Sequence, residues 1–314
     1  MTDNLTRREL LQSSAATVAG LSLMNSASAQ KTPGEYPWID AHSHIWTRDV
    51  ERYPLAPGKT VNDLDPASFT TEQLLEVAHK NGVGKVVLIG HSLYYLWDNT
   101  YMIDAAKQHP NAFRIVAMID NMAPHPDVTM EKLLADKVTG FRITPGIYGK
   151  EKWLDNPGMH AMWKKAAKTR QNMCCLINPE DLSEIDKWCE TYPKTPVVID
   201  HFARIGIDGT VRKEHLNALC KLARHKLTTV KISAYYALGK KKPPHDELVP
   251  MIERLIETFG VERLMWASDS PYQIVAPNTY ADSIALIRDR IDSLSDSDKQ
   301  WLLRKTAEKV FFFA

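Results

Sequence analysis

The stretch WIDAHSHIWTRD, Trp38 to Asp49, starts as an apolar, strand-like run and carries two histidines, His42 and His44, where that run ends. Successive side chains of a strand point to opposite faces, so residues two apart share a face and both imidazoles can aim the same way. Such a pair offers two nitrogen ligands at a strand end. Its purpose depends on what ends the other strand-like runs.

There are eight such runs, at 38–42, 85–90, 114–120, 139–144, 173–178, 196–201, 229–234 and 264–269. Several are apolar on both faces, as parallel strands covered by helices must be. Helix signals lie between them. Thr70-Thr71-Glu72-Gln73 fits a capping box, with Gly82 beyond the helix it opens. Asn156-Pro157 fits an N-cap with a first-turn proline, and DELVPMIERLIETFG closes on Gly260. Eight strand–helix units in one uninterrupted domain predict an α/β fold, a (β/α)8 TIM barrel over residues 30–314. A doubly wound sheet is the competing arrangement, but no glycine-rich phosphate loop follows the first run.

In a (β/α)8 barrel the reactive groups sit at the C-terminal ends of strands. The sixth run ends in Asp200-His201 and the eighth in Asp269. Zinc takes imidazole nitrogen and carboxylate oxygen, and a catalytic site keeps one position open. His42, His44, His201 and Asp269 are therefore the expected ligands of one divalent ion, Zn2+ by its donor types. Such an ion brings the pKa of bound water towards ~7. Asp269 and His201 are the expected catalytic pair, with Asp269 as ligand, proton acceptor or both.

Composition excludes other classes. Thirty-nine basic residues against thirty-eight acidic ones, with one short lysine run at 240–242, give no nucleic-acid footprint. Cysteines 174, 175, 189 and 220 have neither zinc-knuckle nor disulfide-framework spacing and read as buried thiols. No run reaches the ~18 to 20 apolar residues of a membrane span. Residues 1–29 differ from the rest: Arg7-Arg8 precede a mildly apolar run ending in Ala27-Ser28-Ala29. This segment resembles a twin-arginine signal, which implies the twin-arginine export machinery as a partner and a periplasmic destination.

IDAHSHIW at the first strand, VVIDHFARIG at the sixth, VKISAYY at the seventh and WASDSPY at the eighth resemble the amidohydrolase superfamily, in its amidohydrolase-2 branch. The likeness runs from about residue 38 to 313, with LLRKTAEKVF similar to the branch's closing helix. It implies a TIM-barrel hydrolase. RYPLAP and YLWDNTYMIDAAKQHPNAFRIVA are most like its lactonases, so the resemblance implies opening of a lactone by activated water. Where many members carry a metal-binding histidine or modified lysine, this chain has Asn178 and Arg142, which argues against two bridged metals. A metal-free mechanism, with Asp269 as base among the histidines, is also known in the branch. A non-oxidative decarboxylase is the alternative enzyme, although the missing fifth-strand histidine disfavours it. A barrel that only binds its ligand is the alternative outside catalysis.

Arg142 and Lys231 lie inside apolar runs, and a buried unpaired charge costs several kcal/mol. They need a ligand or a structural partner such as Asp40, Asp120 or Asp200. With Arg204, just past His201, they are the expected binders of a small anionic substrate. Tyr94, Tyr95, Tyr148, Tyr235, Tyr236 and Trp46 follow strands and are candidates for the pocket wall.

Overall fold

The structure, a computed structural model, describes residues 36–147 and 153–313. The leader expected over 1–29 and Tyr148 lie outside these residues. Eight parallel strands pair in sequence order: β1 (Trp38–Ser43), β2 (Val83–Ile89), β3 (Phe113–Ala117), β4 (Val138–Ile143), β5 (Asn172–Cys175), β6 (Val197–Ile199), β7 (Thr228–Ile232) and β8 (Leu264–Trp266). Helices follow each strand: α1 (Thr71–Lys80), α2 (Thr100–Gln108), α3 (Pro126–Leu133), α4 (Pro157–Thr169), α5 (Leu182–Thr191), α6 (Lys213–Lys221), α7 (Val249–Phe259) and α8 (Tyr280–Asp289), with α9 (Thr306–Phe311) at the end. This is the (β/α)8 barrel that the sequence predicts. None of the described helices is long and apolar enough to cross a membrane.

Local signals act as the residues dictate. Thr70 and Gln73 exchange side-chain and backbone bonds at the start of α1. Asn156 Oδ1 accepts the Met159 amide while Pro157 fills the first turn of α4, where its missing N–H costs nothing. Helix α7 ends before Gly260, but a short tighter turn, Asp246–Leu248, precedes it, so the helix starts three residues later than DELVP suggests.

Alternate strand residues form two apolar layers. The outer one packs against the helices. The inner one takes Ile39, Val87, Val116, Cys174, Val198 and Met265 from six strands and ends on Phe311 of α9, which closes the barrel floor. Gly140 supplies the lining of β4, where a Cβ would stand 3.1 Å from Asn172 O and 3.2 Å from Cys174 Sγ. All four cysteines are buried free thiols.

Two irregularities decide the mouth. In β1 the pairing advances from Asp40↔Val86 to Ser43↔Leu88, three residues against two. That bulge reverses the alternation, so His42 and His44 enter the interior although Ile39 and Ala41 already face it. The β8–β1 seam is closed by a single parallel bridge, Ser43↔Ser270. There the His44 amide donates to Ser270 O and the Asp269 amide donates to His42 O, each at 2.8 Å. Asp40 reinforces the seam by accepting from Ser268 N at 2.9 Å, Ser43 Oγ at 2.9 Å and Tyr280 OH at 2.9 Å. It binds no cation.

Candidate active site

The sixth and eighth apolar runs stop being strand earlier than their composition suggests, at Ile199 and Trp266. Beyond those ends the chain turns into the left-handed region, with φ 52° at His201, 57° at Arg204 and 64° at Asp269. Non-glycine residues rarely hold this conformation, and strain of this kind collects at functional sites. It swings His201, Arg204 and Asp269 over the barrel mouth, where all three line one cavity of about 440 Å3.

His42 Nε2, His44 Nε2 and Asp269 Oδ1 form a nearly equilateral triangle, with separations of 3.3, 3.4 and 3.3 Å. For metal–ligand bonds of 2.0–2.1 Å the edge of a tetrahedron is about 3.3–3.4 Å, so these three atoms make one face of a zinc-like coordination sphere. His44 Nδ1 donates to Ile89 O at 2.9 Å, which leaves its Nε2 lone pair facing the triangle. Asp269 Oδ1 is buried and has no hydrogen-bond donor among the described residues. His42 Nδ1 lies 3.2 Å from Lys231 Nζ and 3.7 Å from Asp200 Oδ1, and its Nε2 faces the triangle. The donor set fits one divalent ion with an open position.

His201 lies outside that triangle. Its Nδ1 is 2.8 Å from Ser233 Oγ and its Nε2 is 3.8 Å from Asp269 Oδ2. Of the four expected ligands, His42, His44 and Asp269 share the triangle and His201 stands beside it. His201 does join His42 and Asp200 in a second cluster. However, the ammonium of Lys231, 3.0 Å from Asp200 Oδ1, already supplies the positive charge that a second ion would bring.

Lys231 was expected to meet an anionic substrate, but it does not line the cavity. It lies fully buried beneath the histidines, paired with Asp200, 3.2 Å from His42 Nδ1 and 5.2 Å above the Phe311 ring. Burial raises the Asp200 carboxyl, but Lys231, His42 and His201 together outweigh it and hold the group well below the usual carboxylate range. Burial first, then Lys231 and His201, keeps His42 well below the usual imidazole value, as a neutral ligand requires. Burial alone is the largest influence on His201, pulled down to about 4.

Burial likewise pushes the Asp269 carboxyl up, yet the imidazoles around it, His201 foremost, hold it well below the usual range and so ionised. Its Oδ2 accepts the Tyr236 hydroxyl at 2.8 Å. Arg142 donates to Gly90 O at 3.3 Å and Arg204 to Asn178 Oδ1 at 3.4 Å, and neither has a carboxylate partner among the described residues. Both line the cavity, and burial, then the charge of Arg142, lowers Arg204 from its usual value. The two guanidiniums share this hollow with the Asp269 carboxylate.

Of the candidate aromatics, Tyr236 reaches the cavity, whereas Trp46, Tyr94 and Tyr235 are packed behind it. Among the lining residues that escaped the sequence reading are His91 and Tyr272. His91 stands just past β2, the same strand-end position that singled out His42 and His201, and so could have been found. Tyr272 follows Asp269 by three residues with no signal of its own.

A parallel eight-stranded barrel carrying a histidine pair, a facing carboxylate and an arginine-lined cavity at its C-terminal mouth is the architecture of a barrel hydrolase. The chain belongs to the amidohydrolase family, whose model matches residues 39–313, and it is an enzyme of the hydrolase class. It is 26% identical over 243 residues to the L-fucono-1,5-lactonase of Burkholderia ambifaria, covering 76% of this chain and 81% of the relative. Over 242 residues it is 23% identical to the 4-sulfomuconolactone hydrolase of Rhizobium radiobacter, covering 74% and 75%. The crystal structure of a probable 2-pyrone-4,6-dicarboxylic acid hydrolase from Acinetobacter baumannii, with citric acid bound, superposes with a TM-score of 0.74 at 18% identity. That match covers 88% of this chain and all of the other.

Removing Lys231 would leave Asp200 buried without its cation. Lys231→Met is expected to lose about 3–5 kcal/mol of stability in urea unfolding, and Lys231→Met with Asp200→Leu to recover much of it. A Lys231→Met protein as stable as the parent would show that the pair does not hold the barrel.

Proposed function

We propose that this enzyme hydrolyses a lactone bearing an anionic group. The observation that carries the reading is an ionised carboxylate, Asp269, in a cavity whose other fixed charges are two guanidiniums, Arg142 and Arg204, with no carboxylate partner among the described residues. The arginines would hold the substrate's carboxylate or sulfonate and orient its ring. Asp269 Oδ2 takes a proton from the attacking water as the water oxygen bonds to the lactone carbonyl carbon. The ring C–O bond then breaks, and the same proton passes to the departing alkoxide, which gives a hydroxy acid. Tyr236, bonded to Oδ2, fixes the carboxylate's orientation. His42, His44 and Asp269 Oδ1 would hold a single ion, zinc by donor type, which when bound supplies Lewis-acid polarisation of the carbonyl.

The rest of the lining narrows the substrate. Leu93, Leu176, Ile207 and Leu238 are apolar, and apart from Asp269 the described lining offers no carboxylate or side-chain amide to accept bonds from sugar hydroxyls. A compact acidic lactone suits this wall better than a polyhydroxylated one. The names of the sulfomuconolactone and pyrone-dicarboxylate relatives support the same choice.

A panel of 4-sulfomuconolactone, the lactone 2-pyrone-4,6-dicarboxylate, L-fucono-1,5-lactone and neutral γ-butyrolactone tests this reading, with the acidic members expected to turn over fastest. Asp269→Asn keeps the shape but cannot accept a proton, so kcat should fall about 10²- to 10⁴-fold. A fully active Asp269→Asn enzyme would remove the assignment. Chelation should abolish activity and added zinc restore it if the triangle is loaded, and should change nothing if the carboxylate works alone. Arg142→Met should lower kcat/KM for acidic lactones about 10- to 100-fold and leave γ-butyrolactone nearly unaffected. Equal losses on both substrates would argue that Arg142 serves structure alone.

We also infer export. Arg7-Arg8 and Ala27-Ser28-Ala29 support a twin-arginine leader over residues 1–29, with the mature enzyme starting near Gln30 in the periplasm. Changing both arginines to lysine should leave precursor in the cytoplasm. N-terminal sequencing that finds Met1 or Thr2 on periplasmic protein would overturn the proposal.

A further inference from the structure

Tyr272 and His91 form a polar pair inside the cavity that no step above uses. The Tyr272 hydroxyl lies 2.6 Å from His91 Nε2 and has no other hydrogen-bond partner among the described residues. The His91 ring is fixed by its neighbours: it stacks on Tyr94 with centroids 4.5 Å apart and meets the edge of His44 at 4.8 Å. Tyr272 is itself wedged beside the reacting groups, with ring centroids 6.0 Å from His44 and 6.1 Å from Tyr236, the residue bonded to Asp269.

The direction of the short hydrogen bond decides what the pair can do. Which imidazole nitrogen carries the proton follows from the surrounding network. His91 Nδ1 is buried and has no partner among the described residues. A buried N–H without an acceptor is rarer and costlier than a buried lone pair without a donor, so the proton belongs on Nε2 and Nδ1 stays bare. Nε2–H therefore donates to the Tyr272 oxygen. The phenol stays protonated, since burial first, then Tyr94 and Asp269, raises it. Its own O–H is then not spent on His91 and has only the cavity to point into.

We propose that Tyr272 is a catalytic residue whose hydroxyl donates to the oxyanion formed when water attacks the carbonyl, and that His91 is the positioning residue that turns this hydroxyl towards it. The proposal rests on the lactonase reading for its substrate and adds a named donor to it. Donors fixed in advance where negative charge develops act on the transition state more than on the ground state, so the effect falls on kcat. The carbonyl oxygen gains the negative charge as the water C–O bond forms, Asp269 carries the water's proton, and the Tyr272 hydrogen bond holds that charge until the ring bond breaks. No net proton leaves Tyr272.

Tyr272→Phe keeps the ring and its stacking and deletes only the donor. With the fastest acidic lactone of the panel, kcat should fall about 10²-fold or more while KM and the melting temperature stay close to the parent's. His91→Gln retains an N–H at a similar reach and should keep most of kcat, whereas His91→Leu should lose as much as Tyr272→Phe. A Tyr272→Phe enzyme with parental kcat, alongside an inactive Asp269→Asn, would overturn this inference and leave the hydrolase reading standing. A second measurement needs no substrate: the ¹⁵N chemical shifts of His91 in the whole protein should report the Nε2–H tautomer. A bare Nε2 accepting the Tyr272 proton would overturn the proposal whatever the kinetics.

Discussion

The structure depends on one seam. A closed barrel needs its last strand to meet its first, and here strand pairing alone barely does so, because β8 ends at Trp266 and β1 at Ser43. Closure falls instead to two backbone hydrogen bonds, from His44 to Ser270 and from Asp269 to His42, with the Asp40 carboxylate bound to Ser268, Ser43 and Tyr280 alongside. The residues whose amides and carbonyls make those bonds include His42, His44 and Asp269. The triangle of donor atoms is thus fixed by the same contacts that shut the barrel, and moving any of the three side chains by a fraction of an ångström would mean reopening the sheet. This is how a scaffold holds a site to the tolerance that catalysis needs.

Beneath the triangle the charges are arranged in order of depth. Lys231 and Asp200 pair at the lowest level, dry and fully enclosed. A buried pair is weak evidence for stability, since two apolar residues of similar volume often serve as well. Its value here lies in what it does to the layer above: the ammonium beside His42 favours the neutral ring and brings positive charge to the second cluster, His42, Asp200 and His201. At the top, Arg142 and Arg204 have no carboxylate partner among the described residues, and the ionised carboxylate between the two levels is Asp269. Positive charge is neutralised where it would harm folding and left bare where a ligand can reach it.

The fold was legible because the eight apolar runs and their capping signals agree with one another, Thr70 with Gln73 and Asn156 with Pro157 among them. The site was legible as a set of residues but not as a geometry. The alternation rule brought His42 and His44 to one face, yet it could not foresee that a bulge would switch the phase after Ala41. Lys231 had three candidate partners in the sequence. The choice of Asp200 follows from strand register, because Ile199 pairs with Val230 and the next residues therefore meet. Apolar composition also carried the sixth and eighth strands too far, since periodicity reads a buried residue as strand whether or not its backbone is extended.

That overshoot locates the function. His201, Phe202, Ala203 and Arg204 all hold positive φ, as do Ala234 and Asp269, and for residues other than glycine each costs roughly 1–2 kcal/mol. A chain keeps such a run only where the surroundings over-determine it, and here they do: Ser233 holds His201, Tyr236 holds Asp269 and Asn178 holds Arg204. Ser233 and Tyr236 follow the seventh strand and Asn178 the fifth, so the strained loops of the sixth and eighth strands are braced by their neighbours around the rim. Straightening either loop into regular strand would relieve the backbone but point an imidazole or a carboxylate away from the cavity. The strain is therefore stored in the two loops that bring His201, Arg204 and Asp269 to one cavity.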